Sequence, residues 1–172
     1  GVKGTINALA IDSNDDVYAA GLFTLAGGDT AYSIAKWDGA HWVALGGGIW
    51  GSSATVYDLV IHPVTGDVYA GGAFTGAGDV AVNSVARWDG SQWYAVGSGR
   101  FGIRTLEFDS SYNLYAGGTF IGYIIKWDGS TWTTLPATSA SSLCPRRWCW
   151  TAVAARWRSI TGSPRCKSCR RR

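Results

Sequence analysis

Apolar and polar positions alternate along the first 135 residues in short runs, and the runs recur. In the stretch around residues 55–97 they are Thr55–Pro63, Asp67–Thr75, Asn83–Asp89 and Gln92–Gly97, each six to nine residues long. Each is rich in Val, Ile, Tyr and Trp and is bounded by turn formers, which is strand chemistry. No stretch before residue 135 keeps a 3.6-residue period long enough for a helix. Runs such as Tyr57–Ile61 carry apolar residues on both faces, as expected of a strand held between neighbouring sheets.

The runs belong to a phrase that occurs three times. Tyr18, Tyr69 and Tyr115 open a Tyr-Ala-(Ala/Gly)-Gly step, 51 and 46 residues apart. Trp37, Trp88 and Trp127 open a Trp-Asp-Gly step, 51 and 39 residues apart, and Trp42, Trp93 and Trp132 follow five residues later. Leu9, Leu59 and Leu106 align ahead of each copy, as do Ile11, Ile61 and Phe108. Spacing held over aromatic, glycine and aliphatic positions alike marks a structural repeat. The third copy is seven residues shorter between its Gly-Gly and its Trp, so one loop there is short.

The links are turn chemistry. Asp38-Gly39, Asp89-Gly90 and Asp128-Gly129 sit between strand-like runs, and Asp-Gly accepts positive φ at both central positions of a tight hairpin. The flanking tryptophans then lie near the turn on the two strands, as core aromatics rather than as a binding edge. A Gly-Gly step inside a strand lets a backbone or ring approach closely. A phosphate cradle would need a helix to follow the glycines, and none is predicted.

Four antiparallel strands in each unit, repeated, are the pattern of a β-propeller blade. With its Gly-Gly after an aliphatic-aromatic strand and its later Trp, the chain resembles the kelch-type and galactose-oxidase-central-domain propellers over residues 1–135. It also resembles repeats of large bacterial and fungal cell-surface propellers. It departs from kelch in lacking a regular Tyr between Gly-Gly and Trp, and from WD repeats in lacking Gly-His. The resemblance implies an all-β fold and roles in binding or scaffolding. The expected architecture is a partial, open propeller of three four-stranded antiparallel blades, about twelve strands in all. The blades span about 2–46, 53–97 and 101–135, within residues 1–136. Leu9, Ile11, Leu59, Ile61, Leu106 and Phe108 are expected to be buried between sheets, with the six aligned Trp largely covered. Propellers close with about four to eight blades, so three leave two open ends and belong to a larger wheel.

Charge sets the rest of the chain apart. Residues 1–135 hold six Lys and Arg against twelve acids, net −6, whereas residues 136–172 hold nine and no acid, net +9. All four cysteines, Cys144, Cys149, Cys166 and Cys169, lie in this second stretch, where the spacing calls for a fourth phrase that is missing. The two Cys pairs match a zinc site only loosely, because four residues separate the first pair. The arginines would suit an acidic partner or nucleic acid. Arg, Cys, Ser, Pro and Trp are also the residues that a shifted frame through GC-rich codons yields. Residues 137–172 are therefore read as a blade translated out of frame: irregular, or weakly helical around Trp150–Arg158, and neither a native domain nor a nucleic-acid site.

Catalytic candidates are few. His41 and His62 are the only histidines and occupy different positions in their copies. His41 follows a Trp-Asp-Gly step and is expected to face solvent. His62 stands where the other copies have Asp12 and Asp109, so it is expected to serve a turn. Asp12, Asp15 and Asp16 lack the Asp-x-Asp-x-Asp-Gly ladder of a calcium loop, and no Gly-x-Ser-x-Gly elbow occurs. No catalytic, cofactor or metal residue is assigned. No apolar run reaches the roughly 18 residues of a membrane helix, and no basic-then-apolar leader precedes the first strand. The chain is expected to be a processed product or an internal piece of a secreted or surface protein. It is expected to bind a protein, with a glycan as the alternative through exposed Trp and Tyr, and to be joined by the remaining blades of the parent.

Overall fold

In the computed structural model, the structure describes residues 1–98, 102–119 and 124–135. Every element among them is a β-strand, and no helix long and apolar enough to cross a membrane is present there. The readings of residues 137–172, zinc and out-of-frame blade alike, lie outside the described residues.

Three antiparallel sheets follow one another along the chain. The first runs β1 (Val2–Ile11), β2 (Val17–Ala26), β4 (Ile34–Trp37) and β5 (Trp42–Ala44), with the two-residue β3 (Asp29–Thr30) paired to β2. The second runs β7 (Thr55–Ile61), β8 (Val68–Ala73), β11 (Val85–Trp88) and β12 (Trp93–Ala95). The third runs β13 (Ile103–Phe108), β14 (Leu114–Gly118), β15 (Ile125–Trp127) and β16 (Trp132–Thr134). Each is an up-and-down meander with its strands in chain order, and none closes on itself. The described chain has sixteen strands and not twelve. The Gly-rich links account for the difference of four, because β3 adds to the first sheet and β6 (Ile49–Trp50), β9 (Gly76–Ala77) and β10 (Val80–Ala81) pair into a small separate sheet.

One register defect recurs and explains the second glycine of each Gly-Gly or Ala-Gly step. The first strand of every sheet carries an extra residue: Asn7 between Ile6 and Ala8, Tyr57 between Val56 and Asp58, Arg104 between Ile103 and Thr105. The residue opposite the defect is Gly21, Gly72 or Gly118. A Cβ there would overlap the carbonyl of Thr55 for Gly72, of Thr5 for Gly21 and of Gly102 for Gly118. A β-bulge brings the partner backbone too close for any side chain.

The sheets stack through their first strands. β7 packs against β1 and β2, and β13 against β7 and β8. Two cores result. One joins Tyr18, Ala20, Ile34 and Leu45 of the first sheet to Val56, Leu59 and Trp93 of the second. The other joins Tyr69, Val85 and Val96 of the second to Ile103, Leu106 and Ile125 of the third. Two expectations on burial fail in part. Leu59 and Leu106 are 5% and 2% exposed, but Leu9 and Ile11 are each 63% exposed. These two occupy the same position in a sheet that has no predecessor to cover it. Ile61 and Phe108 are only half-buried. Among the aligned tryptophans Trp93 is buried and the other five are half-buried.

Candidate functional site

A cleft of about 560 Å³ is lined by residues from all three first strands. Leu59 and Ile61 of β7 lie between Ile11 of β1 and Phe108 of β13, with Pro63 and Tyr112 at the rim. Its polar wall is acidic, formed by Glu107, Asp109 and Ser110. Apolar floor and acidic rim together offer contact area and negative charge to a ligand.

Asp109, on the cleft wall, is engaged in a turn, as are its counterparts in the other two sheets. Asp109 accepts backbone N–H groups from Ser111 at 2.8 Å and Asn113 at 2.9 Å, and the Asn113 amide donates to both its oxygens. Those bonds, with the Asn113 side chain first, hold its carboxyl down at about 2. Asp12 closes the corresponding turn of the first sheet by accepting from Asn14 and Asp16. In the second sheet the same work falls to His62, whose Nδ1 accepts from the N–H of Val64 at 3.3 Å and of Thr65 at 3.1 Å. Its ring meets Phe108 edge-on at 5.1 Å and Tyr112 at 5.3 Å. The position His62 shares with two aspartates was legible in the sequence as a turn position; that its ring also packs on the third sheet was not. His41 is exposed beyond the first Trp-Asp-Gly step, as expected.

The Trp-Asp-Gly steps make hairpins of a different kind from the two-residue turn expected. The tryptophans pair directly, Trp37 with Trp42, Trp88 with Trp93 and Trp127 with Trp132, so four residues form each loop. Only the glycines take positive φ: Gly39 at 93°, Gly90 at 98° and Gly129 at 97°. The aspartate instead accepts backbone N–H groups of the third and fourth loop residues. Asp89 bonds Ser91 at 2.8 Å and Gln92 at 2.9 Å, and Asp38 and Asp128 do the same in their loops. The carboxylate caps the loop, so a second left-handed residue is not needed. These bonds hold all three carboxyls below the usual range, the fourth-residue N–H contributing most.

The paired rings stack at tilted angles with centroids 5.7, 5.3 and 5.4 Å apart. The second indole of a pair then reaches the preceding sheet. Trp93 Nε1 donates to the Leu45 carbonyl at 2.9 Å, and Trp132 Nε1 to the Val96 carbonyl at 2.8 Å. Trp50, the seventh tryptophan before residue 136, is 43% exposed; its ring lies against Gly76 and its Nε1 donates to the Gly78 carbonyl at 2.7 Å. Among the described residues no group of three or more His, Cys, Asp or Glu is placed to hold a metal ion. Asp12, Asp15 and Asp16 form a turn, with Asp15 at φ 63° and Asp16 paired to Lys36 at 2.6 Å.

No protein-family model matches the chain, and no curated protein matches it.

Proposed function

We propose that the chain is a non-catalytic binding or scaffold portion of a β-propeller, belonging to a larger secreted or cell-surface protein. The observation that carries this reading is the employment of the repeat residues. The tryptophan pairs, the loop aspartates, the Gly-Gly steps and His62 are occupied in joining strands to strands and sheets to sheets. What remains for a ligand is the cleft at the ends of the first strands, where three sheets contribute and the wall is acidic. Reading the gene through codons 136–172 and its flanks tests the proposal. Further Tyr-Ala-Gly-Gly to Trp-Asp-Gly phrases, in that frame or a neighbouring one, with a secretion signal upstream, are expected. An intact reading frame without another copy would defeat it.

A glycan-binding portion is the second reading, and Trp50 favours it. One face of its ring covers Gly76 while the residue stays largely open to solvent, and an exposed flat indole is the surface on which sugar rings stack. Titration with a panel of oligosaccharides, followed by tryptophan fluorescence, distinguishes the two. Saturable quenching that Trp50→Ala abolishes would establish the glycan reading over the first.

A further inference from the structure

The interface between consecutive sheets is built twice from the same positions, and its two halves are left over at the ends. On the trailing side, Ile34 and Val85 are 0% and 1% exposed, but their counterpart Ile124 is 53% exposed. Leu45 and Val96 are each 3% exposed, but their counterpart Leu135 is 36% exposed. On the leading side, Val56 and Ile103 are fully buried, whereas their counterpart Ile6 is exposed, together with Leu9 and Ile11. The hydrogen bond is halved in the same way. Trp93 and Trp132 each donate to a carbonyl of the sheet before, and among the described residues Trp42 Nε1 has no such acceptor. Among the described residues the chain therefore displays the trailing and the leading positions of a contact that it already makes twice within itself.

We infer that two copies of the chain pair head to tail, the Ile124–Leu135 face of each seated on the Ile6–Leu9–Trp42 face of the other. A self-complementary pair of unlike faces closes when two copies satisfy both contacts at once. Burying exposed aliphatics on both sides supplies the drive, and Trp42 Nε1 gains the Leu135 carbonyl as acceptor. The three described four-strand meanders of each copy give six, inside the range of about four to eight at which propellers close. Ring closure rests on the propeller reading, while the pairing of faces rests only on the repeated interface.

Sedimentation velocity of the full chain across the micromolar range is the test. The expected species has the mass of two chains. Leu9→Glu and Leu135→Glu, at positions 63% and 36% exposed, are each expected to give monomer with an unchanged β-sheet circular dichroism spectrum. An equal mixture of the two variants is expected to recover a pair, because one of its two contacts joins an intact trailing face to an intact leading face. A wild-type monomer throughout the range overturns the inference and leaves the scaffold reading standing. Pairing that survives either Glu variant, a mixture that stays monomeric, or species that grow beyond two chains likewise overturns it.

Discussion

At the scale of single residues, the two kinds of glycine in the repeat answer to different constraints. Gly39, Gly90 and Gly129 have open space around the Cβ position and are required by φ alone, whereas Gly72 has ordinary φ and no space. Gly72→Ala is therefore expected to destabilise the fold by about 3 kcal/mol, as overpacking does, measured by urea unfolding. Ser84 presents the opposite case. It is buried, sits at φ 63°, and its hydroxyl has no hydrogen-bond partner. Its counterpart Ser33 at φ 60° donates to the Ala54 carbonyl at 3.2 Å. Ser84→Gly relieves both a left-handed side chain and an unpaired hydroxyl, and a gain of about 1 kcal/mol is expected, with no such gain for Ser33→Gly. The loop carboxylates set the acid limb. Asp109 is held at about 2 when folded and titrates near an ordinary carboxylate value of about 4 when unfolded. Its contribution is present above pH 4 and is lost as pH falls towards 2. Asp109→Asn, which cannot take the charge, is expected to lower the melting temperature at neutral pH and to flatten its pH dependence in that window, so that the two proteins converge as pH falls towards 2.

At the scale of the element, the tryptophan hairpin acts as the coupling between sheets. The same residue type at the same repeat position differs in value according to what lies before it. Trp93 is buried among residues of two sheets and bonds the Leu45 carbonyl, while Trp42 packs only within its own sheet, on Phe23, Ala26 and their neighbours. Trp93→Ala is expected to cost on the order of 3–5 kcal/mol, and Trp42→Ala clearly less, in paired chemical-unfolding curves. Equal losses would mean that the hairpin stabilises its own sheet rather than the stack.

At the scale of the molecule, three sheets in series leave one apolar face at each end of the described fold, and solubility and assembly depend on what covers them. The basic stretch is a separate matter of charge. Nine positive residues without an acid, in a chain whose first 135 residues carry net −6, favour at most a loose, salt-sensitive attraction. A chain ending at Ala137 is expected to melt within a few degrees of the full one at moderate salt. A large drop on scanning calorimetry would show that residues 138–172 belong to the core.

Much of this was written in the chain itself. Local chemistry repeats in sequence, so the antiparallel four-stranded sheets, the turn role of His62 and the nearness of each tryptophan pair to its turn followed from spacing, period and turn residues. Each of those depends on neighbours within about fifty residues. The bulge opposite Gly21, Gly72 and Gly118 could not be read from sequence, because a register defect is visible only when two strands are laid side by side. The loop type was likewise missed: Asp-Gly permits a two-residue turn, and the aspartate's bonds to two backbone N–H groups selected four residues instead. The largest divergence is between Leu9 and Leu59, identical in residue and repeat position yet 63% and 5% exposed. Sequence determined that both belong to a face built for burial. Which of them is buried was decided by the stacking of the sheets alone, since a sheet's face is covered only when another sheet lies on it.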